Sequence, residues 1–229
     1  MRYLGGKSRI AKDISDYINS VIGNRDFISL FCGSCSIESR VNANRKILND
    51  AHPYLIAMWR DVQAGRQLPD KITKSTYDYV KAHKDEDPGL TGYVGFACSY
   101  SGKWFGGLAR NKRGEDFCAG ASHSIYRDLN GLKNAEFLCG DYRDVSIPNG
   151  SVVYLDPPYK GTTGYSTGDF DHEAFWEYVR ELSKRCTVLV SEETAPNDFA
   201  CVWSKQIARQ VDVRQGRVYK TEKLFSKTT

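Results

Sequence analysis

Helical and strand-like patterns alternate from residue 8 to residue 62, and that alternation limits the fold more than any other feature of the chain. Residues 8–22 place Ile10, Ile14, Tyr17, Ile18 and Val21 on one helical face, and Gly23 ends the helix. FISLF at 27–31 reads as a short buried strand, and KILND at 46–50 as a second. Between them, Ser34 or Ser36 is placed to cap a helix. Pro53 suits the first turn of the next helix, whose apolar face is Leu55, Trp59 and Val62. Helix, strand, helix, strand, helix predicts an α/β fold with a mostly parallel sheet and crossover helices.

Strand-like runs return at 136–141, 151–156 and 187–192, with a helical pattern over 172–184 between the last two. CVWSKQIARQ and GRVYKTEKLF read as two β segments that pair as a C-terminal antiparallel hairpin closing one sheet edge. Between the two halves the rhythm breaks. Residues 85–122 hold 8 of the chain's 20 glycines and show little periodicity. The stretch 70–132 is therefore expected to be an insert or small subdomain, interrupting a domain made of 1–69 and 133–229.

Composition narrows the setting. A chain of 229 residues can bury roughly 70% of its unfolded surface without disulfide staples. Its 41% hydrophobic and 26% charged residues argue against disorder. A net charge of +4 permits a cationic patch but not a histone-like tail. Seven scattered cysteines cannot all pair internally and suit a reducing compartment. No apolar run approaches the ~18 residues of a membrane span, and MRYLGGKSRIAKD lacks the apolar stretch of a signal peptide. The expected setting is the cytoplasm, with no membrane and no evident obligatory protein partner.

The sharpest chemical signal is DPPY, Asp156 to Tyr159, directly after the apolar SVVYL. Ligands in open parallel sheets sit beyond the carboxyl ends of the strands, so Asp156 is expected at the ligand edge. Pro157 and Pro158 stiffen the backbone and remove two N–H donors, which leaves carbonyl oxygens to accept from something else. Tyr159 offers a stacking plane. An acid, a free carbonyl and an aromatic plate suit a planar group bearing an amino substituent. The bland alternative is a strand-to-loop turn capped by Asp156.

A second signal is FCGSCS at the first strand-to-helix junction. Gly33 allows a tight turn, and Asp50 lies 19 residues after Phe31, where an acid suits ribose hydroxyls. Asp50 also reads as a helix N-cap ahead of Pro53, and both readings can hold together. Cys32 and Cys35 form a CxxC that invites a redox reading. Small side chains at a packed junction are the preferred reading, and the absence of a second CxxC speaks against zinc. RYLGGKS, with Tyr3, Gly5, Gly6 and Lys7, reads by itself as a flexible start with an exposed lysine. In SYSGKWFGGLARNKRG, Lys103, Arg110, Lys112 and Arg113 alternate with Tyr100, Trp104 and Phe105. Such a loop matches phosphates with charge and bases with rings, and the bland alternative is a solvated basic loop with two buried aromatics.

In this order the motifs resemble the Dam-type, alpha-group adenine-specific DNA methyltransferases. That family carries an N-terminal aromatic-x-G-G-K, then F-x-G-x-G, an acid after the second strand, a target-recognition insert, and DPPY last. Here these are Tyr3 with Gly5-Gly6-Lys7, Phe31 with Gly33, Asp50, the basic insert, and Asp156 to Tyr159; DAHPYLIAMWRDV also resembles the segment after the second-strand acid. The resemblance spans nearly the whole chain. It implies a Rossmann-like S-adenosylmethionine-dependent methyltransferase fold with a small DNA-reading insert. It implies that Tyr3, Lys7, Phe31, Gly33 and Asp50 contact S-adenosylmethionine, that Asp141 lies near the cofactor's adenine, and that Asp156 serves both cofactor and target base. Cys35 stands where the family has its second glycine, and the insert matches only loosely around FGGLARNKRG.

The function expected from these readings is methyl transfer from S-adenosylmethionine to the exocyclic amino group of adenine in double-stranded DNA. Asp156, Pro157 and Tyr159 are the expected catalytic residues, and Lys103, Arg110, Lys112 and Arg113 the expected DNA contacts. No metal is required. The alternatives are cytosine-amino methylation, methylation of RNA or of a protein amide, a catalytically silent DNA-binding relative, and the redox reading.

Overall fold

A computed structural model describes residues 1–110, 117–158, 170–212 and 216–228, with side chains at all of these except 208–218. In chain order the elements are α1 (Ala11–Ile22), β1 (Phe27–Ser29), β2 (Lys46–Asp50), α2 (Pro53–Gln63), α3 (Lys74–Ala82), α4 (Pro88–Gly92) and α5 (Cys118–Leu129). They continue with β3 (Ala135–Cys139), β4 (Val152–Leu155), α6 (His172–Ser183), β5 (Thr187–Ser191), β6 (Phe199–Asp212) and β7 (Gly216–Lys227).

The strands form one sheet in the order β3-β2-β1-β4-β5-β7-β6. The first five are parallel and follow the doubly wound order 3-2-1-4-5. β7 enters antiparallel beside β5, and β6 pairs with it at the outer edge. This is the expected α/β architecture with its C-terminal hairpin. The strands read as continuous apolar runs because helices cover both faces. Ile14 and Ile18 of α1 and Leu55 and Trp59 of α2 pack with Phe27, Leu48, Val152 and Tyr154. On the opposite face Phe175, Val179 and Leu182 of α6 meet Ile28, Ile47, Val153 and Val188. Each such side chain contributes about 1.5–3 kcal/mol when buried.

Two expectations need correction. No α-helix follows β1, so neither Ser34 nor Ser36 caps one; Glu38–Arg40 form a single 3-10 turn instead. Gly33 (φ +47°) and Cys35 (φ +52°) both adopt left-handed conformations, and two such residues in three break a right-handed helix before it begins. Nor is the glycine-rich stretch irregular throughout. α4 runs on into a π-helical turn at Tyr93–Ala97, and Thr91, Tyr93 and Val94 are buried. A Cβ on Gly92 would strike the Tyr54 carbonyl, and one on Gly95 the Trp104 ring. These glycines permit close packing rather than loosening the chain. α4 thereby packs against α2.

Candidate active site

The strand order reverses between β1 and β4, and a cavity of 1120 Å³ opens beyond the carboxyl ends of these strands. Register aligns Leu48 of β2, Ser29 of β1 and Tyr154 of β4 on one rung. Asp50 and Asp156 each follow that rung by two residues. They therefore stand level at the sheet edge, two strand spacings or about 10 Å apart. Tyr3, Lys7, Phe31, Gly33, Asp50, Asp141 and Asp156 all line this cavity.

Asp50 is held by backbone. Its Oδ2 accepts from the Gly33 amide at 3.0 Å and its Oδ1 from the His52 amide at 2.9 Å. Burial pushes its carboxyl above the usual range, against the opposing pull of these amides. Beneath the loop, the Trp59 indole donates to the Gly33 carbonyl at 3.1 Å. Above it, Tyr3 covers Gly33 so closely that a Cβ there would meet the ring at 3.1 Å. Cys35 takes up its left-handed backbone fully buried, a conformation that glycine adopts without strain. Burial raises the Cys32 thiol to about 11 and the Cys35 thiol well above its ordinary value. A redox thiolate needs the opposite shift.

The same cavity has an aromatic wall. Phe31 sits 5.2 Å from Tyr142 and 5.9 Å from Phe170, centroid to centroid, and all three rings line the cavity. Asp141 caps the turn at Tyr142–Asp144 and is engaged by Arg143, whose amide and Nε each donate to Oδ1 at 2.9 Å. That hydrogen bonding lowers the Asp141 carboxyl. Opposite, Phe96 and Trp104 from the 70–132 segment close the cavity against His52, 4.6 and 4.4 Å away. Burial lowers His52 to about 4 and keeps it neutral.

Asp156 is held by charge. The Lys7 ammonium lies 3.0 Å from Asp156 Oδ1 and 3.5 Å from Glu222 Oε2, and the Lys7 side chain is only 5% exposed. The flexible, exposed start expected for this segment is thus absent. Tyr3 accepts from the Gly6 amide at 2.9 Å to form a tight turn, and Leu4 donates to the Gly102 carbonyl at 3.1 Å. Burial raises the Asp156 carboxyl, opposed by Lys7. Glu38, bonded to the Ser29 hydroxyl at 2.9 Å, also lines the cavity, and burial pushes it up to about 7. Pro158 lines the cavity, whereas Pro157 is buried beside it.

Lys103 and Arg110 are exposed and lie outside the cavity wall. Their loop is anchored: Tyr100 donates to Gly107 and Ala109 to Cys98, each at 2.8 Å, and the Tyr77 hydroxyl pairs with Ser99 at 2.8 Å. Tyr100 itself is 68% exposed. Tyr159, Lys112 and Arg113 fall outside the described residues. Sequence reasoning missed Glu38, His52, Tyr142, Phe170, Lys220 and Glu222, all in the wall. For Glu222 a signal existed, since strand alternation puts it on the same face as the buried Leu224. Among the described residues no group of three His, Cys, Asp or Glu side chains is arranged to hold a metal ion, and no helix is long and apolar enough to cross a membrane.

Comparison with known proteins adds to this geometry. Residues 3–92 and 121–213 match the family model described as D12 class N6 adenine-specific DNA methyltransferase. The chain is 25% identical over 223 residues to the type II methyltransferase M.CviBI of Paramecium bursaria Chlorella virus NC1A, covering 83% of this chain and 81% of that protein. It is 20% identical over 219 residues to M.FokI of Planomicrobium okeanokoites, covering 80% of this chain but only 32% of that protein. Among solved structures, the rRNA methyltransferase aviRa of Streptomyces viridochromogenes aligns with a TM-score of 0.46 and 13% identity, over 96% of this chain and 85% of that one.

Proposed function

The chain belongs to the D12 class of N6 adenine-specific DNA methyltransferases, and from that premise we propose which of its residues bind cofactor and which carry the transfer to adenine. The observation that carries the proposal is the level pair Asp50 and Asp156, one held by amides and the other by an ammonium, in the wall of one cavity.

The cavity suits S-adenosylmethionine by its chemistry. Asp50 is fixed by Gly33 and His52 with lone pairs left over for ribose hydroxyls. Phe31, Tyr142 and Phe170 offer flat apolar faces for a purine ring. Tyr3 and Lys7 bound the same space. When bound, S-adenosylmethionine supplies a methyl group already activated on a sulfonium.

The work left to the protein is positioning and electrostatics. The adenine amine is a weak nucleophile because its lone pair is delocalised into the ring, and the base must leave the helix stack to be reached. Asp156 accepts from that amine and favours a tetrahedral nitrogen with an available lone pair. Lys7 occupies Oδ1, so Oδ2 takes the amine hydrogen. The Pro157 carbonyl accepts the second hydrogen, and Tyr159 stacks on the displaced ring. Once methylated, the nitrogen sheds a proton, for which Asp156 is the first acceptor. Lys103 and Arg110, with Lys112 and Arg113, meet the DNA from the 70–132 segment.

Radiolabelled methyl transfer to duplex DNA, followed by nucleoside analysis, tests this reading. The label is expected on N6-methyladenine. Label on cytosine, on RNA or on protein alone would reject it.

A further inference from the structure

The tail hairpin was expected only to close a sheet edge, yet it places a carboxylate in the cavity wall. Glu222 on β7 is 8% exposed. Its Oε2 lies 3.5 Å from Lys7 and its Oε1 3.4 Å from Lys220, which also reaches Glu193 at 3.1 Å. Charges therefore alternate in a chain: Asp156, Lys7, Glu222, Lys220, Glu193. The cross-strand neighbour Lys205 turns away to Asp13 at 2.6 Å. A buried carboxylate is costly unless it is paired. No step assigned to Asp156, Pro157 or Tyr159 uses Glu222.

Without Glu222, the whole ammonium charge of Lys7 would fall on Asp156. With it, Lys7 is pulled toward β7 and shared between two anions. We propose that Glu222 is a positioning residue for methyl transfer: it draws Lys7 to one oxygen of Asp156 and shares its charge, leaving Asp156 a strong anionic acceptor for the target amine. The role rests on the reading of Asp156 given above. It acts through Lys7, the ammonium that Asp156 and Glu222 share.

The groups whose charge reaches Asp156 come from four elements. Lys7 comes from the N-terminal segment, Glu222 and Lys220 from β7, Glu192 from the end of β5, and Glu38 from the 3-10 turn. Glu192 in turn faces His172 at 4.0 Å. Among these, the Glu222 charge raises the Asp156 carboxyl. Removing it lets Asp156 stay ionised to lower pH while leaving it a weaker acceptor.

The test is single-turnover methylation of duplex DNA at saturating DNA and S-adenosylmethionine, measured across pH for Glu222→Gln, Glu222→Asp and Asp156→Asn. Cofactor-induced melting shifts are followed in parallel. Glu222→Gln is expected to keep the parent melting shift, to lose transfer by about 10-fold, the lower end of the scale seen for outer partners of metal-ligating side chains, and to move its acid limb to lower pH. Glu222→Asp keeps the charge and is expected to recover part of the rate with the parent acid limb. Parent rate and acid limb in Glu222→Gln, beside an inactive Asp156→Asn, would overturn the positioning role alone. A slow Glu222→Gln with an unmoved acid limb would overturn it equally, as a merely structural effect. Should Glu222→Gln not fold, a folded Glu222→Asp that transfers no faster than Asp156→Asn would overturn the role, because the retained charge would then contribute nothing. An active Asp156→Asn would instead overturn the reading on which the role rests.

Discussion

The two strand-end acids in the cavity wall are built in opposite ways. Asp50 follows β2 and is fixed by neutral donors, the amides of Gly33 and His52 at 3.0 and 2.9 Å. Asp156 follows β4 and is fixed by a buried cation, Lys7 at 3.0 Å, itself shared with Glu222. Amides from two loops fix shape and are little affected by pH or salt. A buried ammonium fixes charge and responds to every neighbour that changes it. The first arrangement suits recognition of a ligand whose contacts stay constant. The second suits a group whose partner changes protonation during the reaction.

Substitutions should separate the two ends. The largest effect is expected at Asp156. Asp156→Asn presents a donor to a donor and should reduce single-turnover methyl transfer at least ~100-fold, on the scale of losing one preorganised electrostatic partner. Its cofactor-induced melting shift should fall less than that of Asp50→Ala, because Asp156 serves the target base as well as the cofactor, and an equal loss of that shift would blur the division between the ends.

Asp50→Ala should do the reverse. Losing hydrogen bonds to a charged group should weaken S-adenosylmethionine about 10- to 100-fold, read as a reduced melting shift at fixed ligand concentration. An undiminished shift would remove Asp50 from the cofactor site.

A smaller effect is expected outside the cavity. Lys103→Gln and Arg110→Gln should each lower the slope of log affinity against log salt by about one unit if they meet phosphates, or relax sequence preference if they meet bases. Both variants should keep the parent melting shift with cofactor. If slope and preference both stay unchanged, the anchored loop is not the DNA-reading face.

The smallest effect sharpens the comparison through stability alone. Burial raises Glu38 from 4.5 to about 7, so the folded state holds this proton more tightly than the unfolded chain. Its contribution is fully present below pH 4.5 and is lost as pH rises to about 7. Glu192, raised to about 7 by burial, acts in the same direction. His52, lowered from 6.5 to about 4 by burial, acts in the opposite one, losing stability as pH falls through that window. The melting temperature of Glu38→Gln relative to the parent should therefore climb between pH 4.5 and 7. A flat difference would mean that Glu38 is ionised throughout.

Local pattern revealed one of these ends better than the other. Asp50 and Asp156 were both legible, because an apolar strand that stops at an acid shows where the sheet edge lies. The other half of the Asp156 site was not. Glu222 comes from β7, which enters the sheet antiparallel between β5 and β6, and local alternation in the two segments shows a closing hairpin but not what its face meets. Lys7 looked exposed because nothing in RYLGGKS shows that Leu4 will bond to Gly102 and Tyr3 will pack on Phe96, tying the segment to the rest of the fold. The helix expected after β1 failed for a related reason. Cys35 carries no propensity for the left-handed backbone it adopts, and only the packed junction imposes it. The glycines of 85–122 hid α4 and its π-helical extension, since glycine costs a helix about 1 kcal/mol relative to alanine. The offsetting gain, room for the Tyr54 carbonyl and the Trp104 ring, is tertiary.

The measurement that tests the central claim most directly is the single-turnover rate of Asp50→Ala and Asp156→Asn on duplex DNA, each at S-adenosylmethionine concentrations well above its own dissociation constant. Once saturated, Asp50→Ala should transfer methyl groups at close to the parent rate, while Asp156→Asn stays slow at every concentration. Equal rates in the two saturated variants would contradict a division between a binding acid and a reacting one.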